Sequence, residues 1–156
     1  MLQRIQTVFL LLVAICMALT FLLPFWTYVT PEGGVGYSLH SLYFEEINNE
    51  EALKTFFPYT FIAVLASAAI IVAIFEIMRF NNRLLQIKLG ALNSLLIAGS
   101  LILAAYFATD FIKELNVVGS YGLAFFMPAA ALFFNLLANR YIRKDEKLVR
   151  SVDRIR

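Results

Sequence analysis

Glu76 is the acidic residue placed most deeply in an apolar stretch of this 156-residue sequence. An ionisable group in such a place is a candidate for function, for example as part of a proton relay. A relay needs further buried acids or histidines, and the other apolar stretches contain none. Arg79 follows Glu76 at a spacing of three residues, which brings the two side chains together on a helix. We therefore predict an ion pair of Glu76 and Arg79.

A second group of acids forms the cluster Glu45, Glu46, Glu50 and Glu51. Their carboxylates would suit a divalent cation, but the glycine-centred loop of calcium sites is missing, so we expect a solvated rim. The single histidine, His40, has no orienting partner in the sequence, and the single cysteine, Cys16, cannot form an internal disulfide. These patterns predict no catalytic group, no metal and no cofactor.

Uncharged polar residues recur on one predicted helix face at Gly90, Asn93 and Ser100, and Asn135 and Asn139 lie one turn apart further along. Small and amide side chains on such faces are typical of close helix packing in lipid, where interhelical hydrogen bonds replace hydrophobic sorting. The alternative is a polar groove for a solute or a lipid headgroup. A run of alanines between positions 66 and 73 favours packing.

The last fourteen residues, 143–156, keep a helical rhythm that separates basic from apolar side chains. The residues expected to contact lipid or a partner are Arg143, Lys144, Lys147, Leu148, Arg150, Val152, Arg154 and Ile155. This tail either lies against anionic lipids as an interfacial helix or presents its apolar stripe to a cytoplasmic protein. We do not expect nucleic-acid binding, because acids interrupt the basic residues and no aromatic stacking platform is present.

The composition predicts the elements that carry these residues. Hydrophobic residues make up 61% of the chain and charged residues 15%, with a mean hydropathy of +0.76, whereas soluble domains have about 45–50% and about 25%. A membrane span needs about 20 apolar residues, and the stretches that qualify are 5–26, 56–78, 89–109 and 121–142. We therefore predict an all-α fold, a single four-helix membrane domain over residues 1–156, with Glu76 and Arg79 at the membrane edge. A soluble enzyme is excluded.

The first stretch and the loop after it need separate treatment. A cleaved signal peptide has a core of about 7–15 apolar residues, and this run continues past Cys16 to Phe25, so we expect a retained span. In the loop, residues 30–33 suit a type I turn and predict a small β-hairpin with arms at 26–29 and 35–44. After it, Asn48 or Asn49 is expected to cap a helix that continues into the second span.

The distribution of charge predicts the orientation. Eleven of the thirteen Lys and Arg residues flank the spans on one side, and most acids lie on the other. Cytoplasmic loops carry the excess of Lys and Arg. We therefore expect both termini in the cytoplasm, an extracytoplasmic loop between the first two helices, and a cytoplasmic amphipathic helix over residues 143–156.

The two ends of the chain carry a resemblance to a known family. Residues 1–7, MLQRIQT, run directly into an apolar span, and residues 137–156 read LANRYIRKDEKLVRSVDRIR. This pattern resembles an uncharacterised family of four-span inner-membrane proteins from Bacteroidota, a domain of unknown function. The resemblance covers the whole chain in length and span order. It implies a bacterial cytoplasmic membrane and a periplasmic acidic loop, and no catalytic residues.

The function that the sequence favours is a non-catalytic accessory or scaffold subunit. Its helices would bind larger membrane proteins or further copies of the chain, and its tail would bind anionic lipids or cytoplasmic machinery. The alternative is an oligomeric solute- or lipid-binding transport protein with a polar site around Asn93, Ser100 and Asn135. An enzyme is disfavoured because a paired nucleophile and base and a set of metal ligands are both absent from the sequence.

Overall fold

The computed structural model describes residues 2–29, 35–48, 51–80 and 82–153. The elements in these ranges are α1 (Leu2–Leu19), β1 (Trp26–Val29), β2 (Val35–Leu39), β3 (Phe44–Asn48), β4 (Glu51–Thr55), α2 (Thr60–Met78), α3 (Arg83–Glu114), β5 (Ser120–Tyr121) and α4 (Leu123–Asp153). The predicted all-α fold is wrong, because β1 to β5 form one five-stranded antiparallel sheet. The molecule therefore combines a helical part with a sheet.

Three helices of the described chain are long and apolar enough to cross a membrane, namely α2, α3 and the part of α4 from Leu123 to Val149. α3 has 32 residues and α4 has 31, which corresponds to about 48 and about 46 Å at about 1.5 Å per residue. Both helices are longer than the roughly 30 Å of hydrocarbon in a bilayer. α4 continues to Asp153, so the predicted tail is an extension of the last helix as far as that residue.

The first predicted span, 5–26, is longer than the helix that the structure contains. α1 ends at Leu19, and its apolar part within the described residues, Ile5–Leu19, is shorter than the three helices that could cross a membrane. The Thr20 hydroxyl donates to the carbonyl oxygen of Met17 at 2.6 Å where the helix ends. Pro24 then provides no N–H for a further helical turn. The apolar residues Phe25 and Trp26 belong to the buried core beneath the sheet.

The helices pack side by side through small residues. α1 and α3 each contact both α2 and α4. In one buried cluster, three alanines of α2 meet side chains from the other helices; its members are Val13, Met17, Ala66, Ala69, Ala73, Ile97 and Ala131. Small residues let helix backbones approach closely where lipid removes the hydrophobic drive for association.

The sheet has the strand order β4-β3-β2-β1-β5. β1 and β2 pair antiparallel along the two arms of the predicted hairpin, although β2 ends at Leu39 and β3 begins at Phe44. The helix expected to follow Asn48 or Asn49 is absent, since Glu51–Thr55 is strand β4. Cross-strand pairing decides this outcome: Glu45 lies opposite Lys54, and their side chains form an ion pair of 3.5 Å.

Aromatic side chains attach the sheet to the helices. Phe111 of α3 stacks on Phe44 at 4.0 Å and on Trp26 at 6.3 Å between ring centroids. All three rings are nine-tenths or more buried. Gly119 has no room for a side chain, because a Cβ there would overlap the Trp26 indole. The sheet therefore covers the end of the helical part at which α3 ends and α4 begins.

Candidate functional site

The contact between α3 and α4 is built around a glycine and two asparagines. The Asn135 amide donates to the Gly90 carbonyl oxygen at 2.8 Å and to the Ser94 hydroxyl oxygen at 2.9 Å. A Cβ at Gly90 would overlap the Asn139 side chain, so the glycine is what admits that amide. The two helices run antiparallel, so that Arg83 lies opposite Asp145, with 3.0 Å between the Arg83 Nε and the Asp145 Oδ2.

A cavity of about 600 Å³ opens beside this contact, away from the sheet. Its lining residues are Ala91, Ser94, Leu136, Asn139, Arg140, Arg143, Lys144 and Lys147. We call this space the α3–α4 pocket. It falls within the size range of small-molecule sites, about 300–1,000 Å³.

The α3–α4 pocket carries a concentrated positive charge. The four basic residues of its wall follow one another at intervals of three, one and three residues along α4, so one helix face presents them all. The lining contains no Asp or Glu, and the neighbouring Asp145 forms an ion pair with Arg83. The electrostatics of this space therefore favour an anion.

The remaining lining gives the α3–α4 pocket an amphipathic character. Ser94 and Asn139 supply polar groups where the two helices meet, and Asn139 is 7% exposed with an unpartnered carbonyl oxygen. Ala91 and Leu136 supply apolar surface, and the exposed Leu95 follows Ala91 by one turn of α3. A molecule with an anionic group at one end and hydrocarbon at the other matches this gradient.

The family was identified by comparison with known proteins. A family model described as a domain of unknown function, DUF4293, matches residues 2–155. This chain is a member of the DUF4293 family. No curated protein matches the sequence. The predicted resemblance to a family of unknown function over the whole chain is thereby confirmed.

The DUF4293 chain brings some of the predicted polar residues together and separates others. Gly90, Asn135 and Asn139 meet at the α3–α4 contact. Asn93 is fully buried, with both amide atoms unpartnered. The Ser100 hydroxyl donates to the Ile97 carbonyl oxygen at 2.8 Å within its own helix. None of Asn93, Ser100 and Asn135 lines the α3–α4 pocket, so the proposed three-residue transport site is not formed there.

Glu76 and Arg79 are both described, and the structure does not pair them. Glu76 is fully buried, and neither carboxylate oxygen has a hydrogen-bond partner. Arg79 is exposed, with its guanidinium carbon 5.1 Å from the centre of the Phe75 ring. A spacing of three residues allows such a pair, but here the two side chains lie in different surroundings.

Some of the predicted tail contacts line the α3–α4 pocket, and most of the others lie outside the described residues. Arg143, Lys144 and Lys147 line the pocket, and Leu148 is half exposed. The side chains of Arg150, Val152, Arg154 and Ile155 lie outside the described residues. Sequence reasoning did not include Ser94 and Arg140 in the site, although their helical spacing to Gly90 and Arg143 is the pattern that could have indicated them.

The acidic rim carries no metal cluster among the described residues. Glu45 pairs with Lys54 and accepts a hydrogen bond from the Ser38 hydroxyl at 3.3 Å. The His40 ring stacks on Tyr43 at 4.8 Å between centroids. Burial lowers the pKa of His40; Glu45 opposes this effect and Lys54 reinforces it. Within the described residues, the contacts of Glu45 and His40 are therefore with side chains of the sheet and of the turn between β2 and β3.

Proposed function

We propose that this protein is a non-enzymatic membrane protein that binds the anionic headgroup of a phospholipid in the α3–α4 pocket. The observation that carries the proposal is that the four basic residues of the pocket lie beside the polar groups of Ser94 and Asn139 and beside exposed apolar side chains. The phosphate would lie against Arg140, Arg143, Lys144 and Lys147. The acyl chains would follow Leu136 and the exposed Leu95 of α3.

The position of the charges along α4 supports a headgroup ligand. Arg140 lies 17 residues after Leu123, about 26 Å along the helix at about 1.5 Å per residue. Since the hydrocarbon layer is roughly 30 Å thick, a helix that enters it near Leu123 brings Arg140 to the opposite interface. Basic side chains at that depth attract the anionic lipids of the cytoplasmic leaflet.

We further propose that α1 forms a fourth span and that both termini are cytoplasmic. α1 has 18 residues, about 27 Å of helix, and it packs beside α2 and α4. The excess of Lys and Arg at the end of the molecule opposite the sheet supports this orientation. The bacterial inner membrane and an origin in Bacteroidota belong to the same proposal and rest on the resemblance of the chain ends.

The lipid proposal is tested by thermal unfolding of detergent-purified protein with added phospholipid. We expect phosphatidylglycerol to raise the Tm and phosphatidylcholine of equal chain length to leave it nearly unchanged, because a ligand of the folded state stabilises it. Inorganic phosphate at matched concentration distinguishes a free anion from a headgroup. A Tm increase with phosphate that equals the increase with lipid would indicate a soluble ligand instead.

Two matched double variants test whether the lipid-dependent rise in Tm arises from binding in the α3–α4 pocket. Arg143→Gln with Lys144→Gln removes two charges from the basic wall, whereas Arg79→Gln with Lys88→Gln removes two exposed charges outside it. The first pair should lose at least half of the lipid-dependent Tm increase, and the second should keep it. Equal losses in both variants would mean that only the net charge matters, and would reject the pocket.

A second candidate is the accessory role that the sequence favours. It is supported by β4, an edge strand of the sheet with Leu53 exposed, since an unpaired edge can accept a strand from a partner. Gentle solubilisation, cross-linking and mass spectrometry would test it. Replacement of Leu53 and Ala52 by proline should remove any partner that joins this edge, and a partner set unchanged by those substitutions would argue against strand addition.

A further inference from the structure

We propose that a monovalent metal cation binds in the helical part between α1, α2 and α3, at the carboxylate of Glu76. Glu76 is 0% exposed, and both of its carboxylate oxygens lack a hydrogen-bond partner. A carboxylate taken out of water requires a compensating positive charge or a proton. The site does not share residues with the α3–α4 pocket, so the inference does not depend on lipid binding.

The described basic side chains do not supply this charge. Arg79, the nearest in sequence, is exposed on the Phe75 ring. Arg83 is held 3.0 Å from Asp145. Neither of the ion pairs found among the described residues includes Glu76. Within that part of the chain, the carboxylate has no counter-ion.

Gln86 is a second buried polar residue, and its side chain is bonded to the backbone of Glu76. It is 1% exposed, and its side-chain amide nitrogen donates to the backbone carbonyl oxygen of Glu76 at 2.9 Å. A carbonyl oxygen only accepts hydrogen bonds, so this contact fixes which end of the amide is nitrogen. The amide oxygen of Gln86 is therefore directed elsewhere, and it is buried without a partner.

Gln6 contributes a third oxygen-bearing side chain at the same level. Val13 of α1 and Ala69 of α2 belong to one buried cluster. Gln6 lies seven residues before Val13, and Glu76 lies seven residues after Ala69, which is about 10 Å along each helix at about 1.5 Å per residue. Since α1 and α2 run in opposite directions, both seven-residue intervals lead toward the same end of the helical part of the molecule. Gln6 is 2% exposed, with its amide oxygen unpartnered.

The unpartnered atoms of Glu76, Gln86 and Gln6 indicate which kind of ligand this site binds. The two oxygens of Glu76 and one each of Gln86 and Gln6 are all acceptors. A proton on Glu76 would satisfy one further oxygen, whereas a metal cation accepts several oxygen ligands at once. A single carboxylate balances a single positive charge, and a divalent ion would leave net charge in an apolar interior. These facts point to an alkali cation.

The test uses the full-length protein in detergent, unfolded thermally in NaCl, LiCl, KCl or choline chloride at one ionic strength and one pH. We expect the Tm to rise in a saturable way with one of the alkali cations relative to choline chloride. Glu76→Gln should need at least tenfold more cation for the same rise. Glu114→Gln, which removes an exposed carboxylate from the other end of α3, should respond as the unmodified protein does.

If Glu76→Gln fails to fold, binding of radioactive sodium to the unmodified protein can be measured directly by equilibrium dialysis. We expect saturable binding of about one sodium ion per chain, which unlabelled sodium displaces. An equal Tm in all four salts together with no saturable sodium binding would overturn the proposal. So would stabilisation by acid alone without a response to any alkali cation. A cation response that appears only in Arg4→Gln would identify that arginine as the counter-ion and would also overturn it.

Discussion

At the residue scale, the absence of a side chain at Gly90 allows α3 and α4 to meet. The Asn139 amide occupies the space that a Cβ at position 90 would need, and Asn135 bonds the Gly90 carbonyl directly. The sequence favoured a packing role for these residues, since small and amide residues on facing helices pack closely in lipid. It could not predict that Glu76 and Arg79 would separate, because helical spacing does not determine which direction a long arginine takes.

Gly90→Ala should therefore destabilise the protein by about 1–3 kcal/mol through overpacking against Asn139. Gly99→Ala is the control, because its Cβ would meet only the flexible end of Leu65, at 3.3 Å. Thermal unfolding in detergent compares the two. A Gly90→Ala variant as stable as Gly99→Ala would show that the Asn139 amide moves away without loss.

The sheet should lose stability in mild acid because of His40. Burial lowers the pKa of His40 below its ordinary value of 6.5, so the folded state binds the proton less readily than the unfolded state. The stability that the sheet gains from the neutral form of His40 is fully present above pH 6.5. It is lost as the pH falls below that value toward the lowered pKa of His40. Local unfolding of the sheet, followed by hydrogen exchange at pH 7.5 and 5.5, should reveal the loss.

His40→Gln is the control for this pH dependence, because glutamine does not titrate in the range. The variant should show a smaller difference between the two pH values in the protection factors of the β2 and β3 amides, which correct for the slower intrinsic exchange at the lower pH. The same difference in both proteins would show that His40 is not the source of the acid sensitivity.

At the element scale, α4 is one helix that serves two environments. Its first part is apolar, and its last turns carry the basic wall. Arg83 and Asp145 hold this last part beside the start of α3, as an ion pair that is not an aligned hydrogen bond. The sequence predicted the helical tail but not this connection, because Arg83 and Asp145 are remote in sequence and only the antiparallel register brings them together.

Arg83→Ala should loosen the end of α4. We expect faster tryptic cleavage after Lys144 and Lys147 than in the unmodified protein, because both lie within two residues of Asp145. A double-mutant cycle with Asp145→Ala should give a coupling energy of about 1 kcal/mol in unfolding experiments. Arg79→Ala, an exposed arginine outside this pair, serves as control. A coupling energy near zero would contradict a structural role for the pair.

At the scale of the whole molecule, the apolar composition predicted the helices and concealed the sheet. Three helices of spanning length agree with the composition. The strands were missed in part because Phe25 and Trp26 are as apolar as lipid-facing residues, although they are buried against Phe111 and the sheet. β4 was missed because its acidic start resembles a helix N-terminus, and only cross-strand pairing with β3 distinguishes the two. Long-range pairings of this kind leave no local pattern.

The proposed orientation places the sheet outside and the basic wall inside the cell. In a Cys16→Ser background, a membrane-impermeant maleimide should label Lys54→Cys, on exposed β4, in intact spheroplasts. Lys147→Cys, in the α3–α4 pocket, should be labelled only after permeabilisation. The reverse pattern would invert the topology, and labelling of both residues in intact spheroplasts would contradict the number of spans.

Native mass spectrometry of the detergent-purified protein can show whether an anionic phospholipid occupies the α3–α4 pocket. The protein is mixed with equal amounts of phosphatidylglycerol and phosphatidylcholine, and the retained lipids are counted. We predict that about one phosphatidylglycerol remains bound at high collision energy, and that Arg140→Gln, Arg143→Gln, Lys144→Gln and Lys147→Gln together reduce its occupancy about tenfold. Equal retention of both lipids, or an unchanged occupancy in the fourfold variant, would contradict a headgroup site in the α3–α4 pocket.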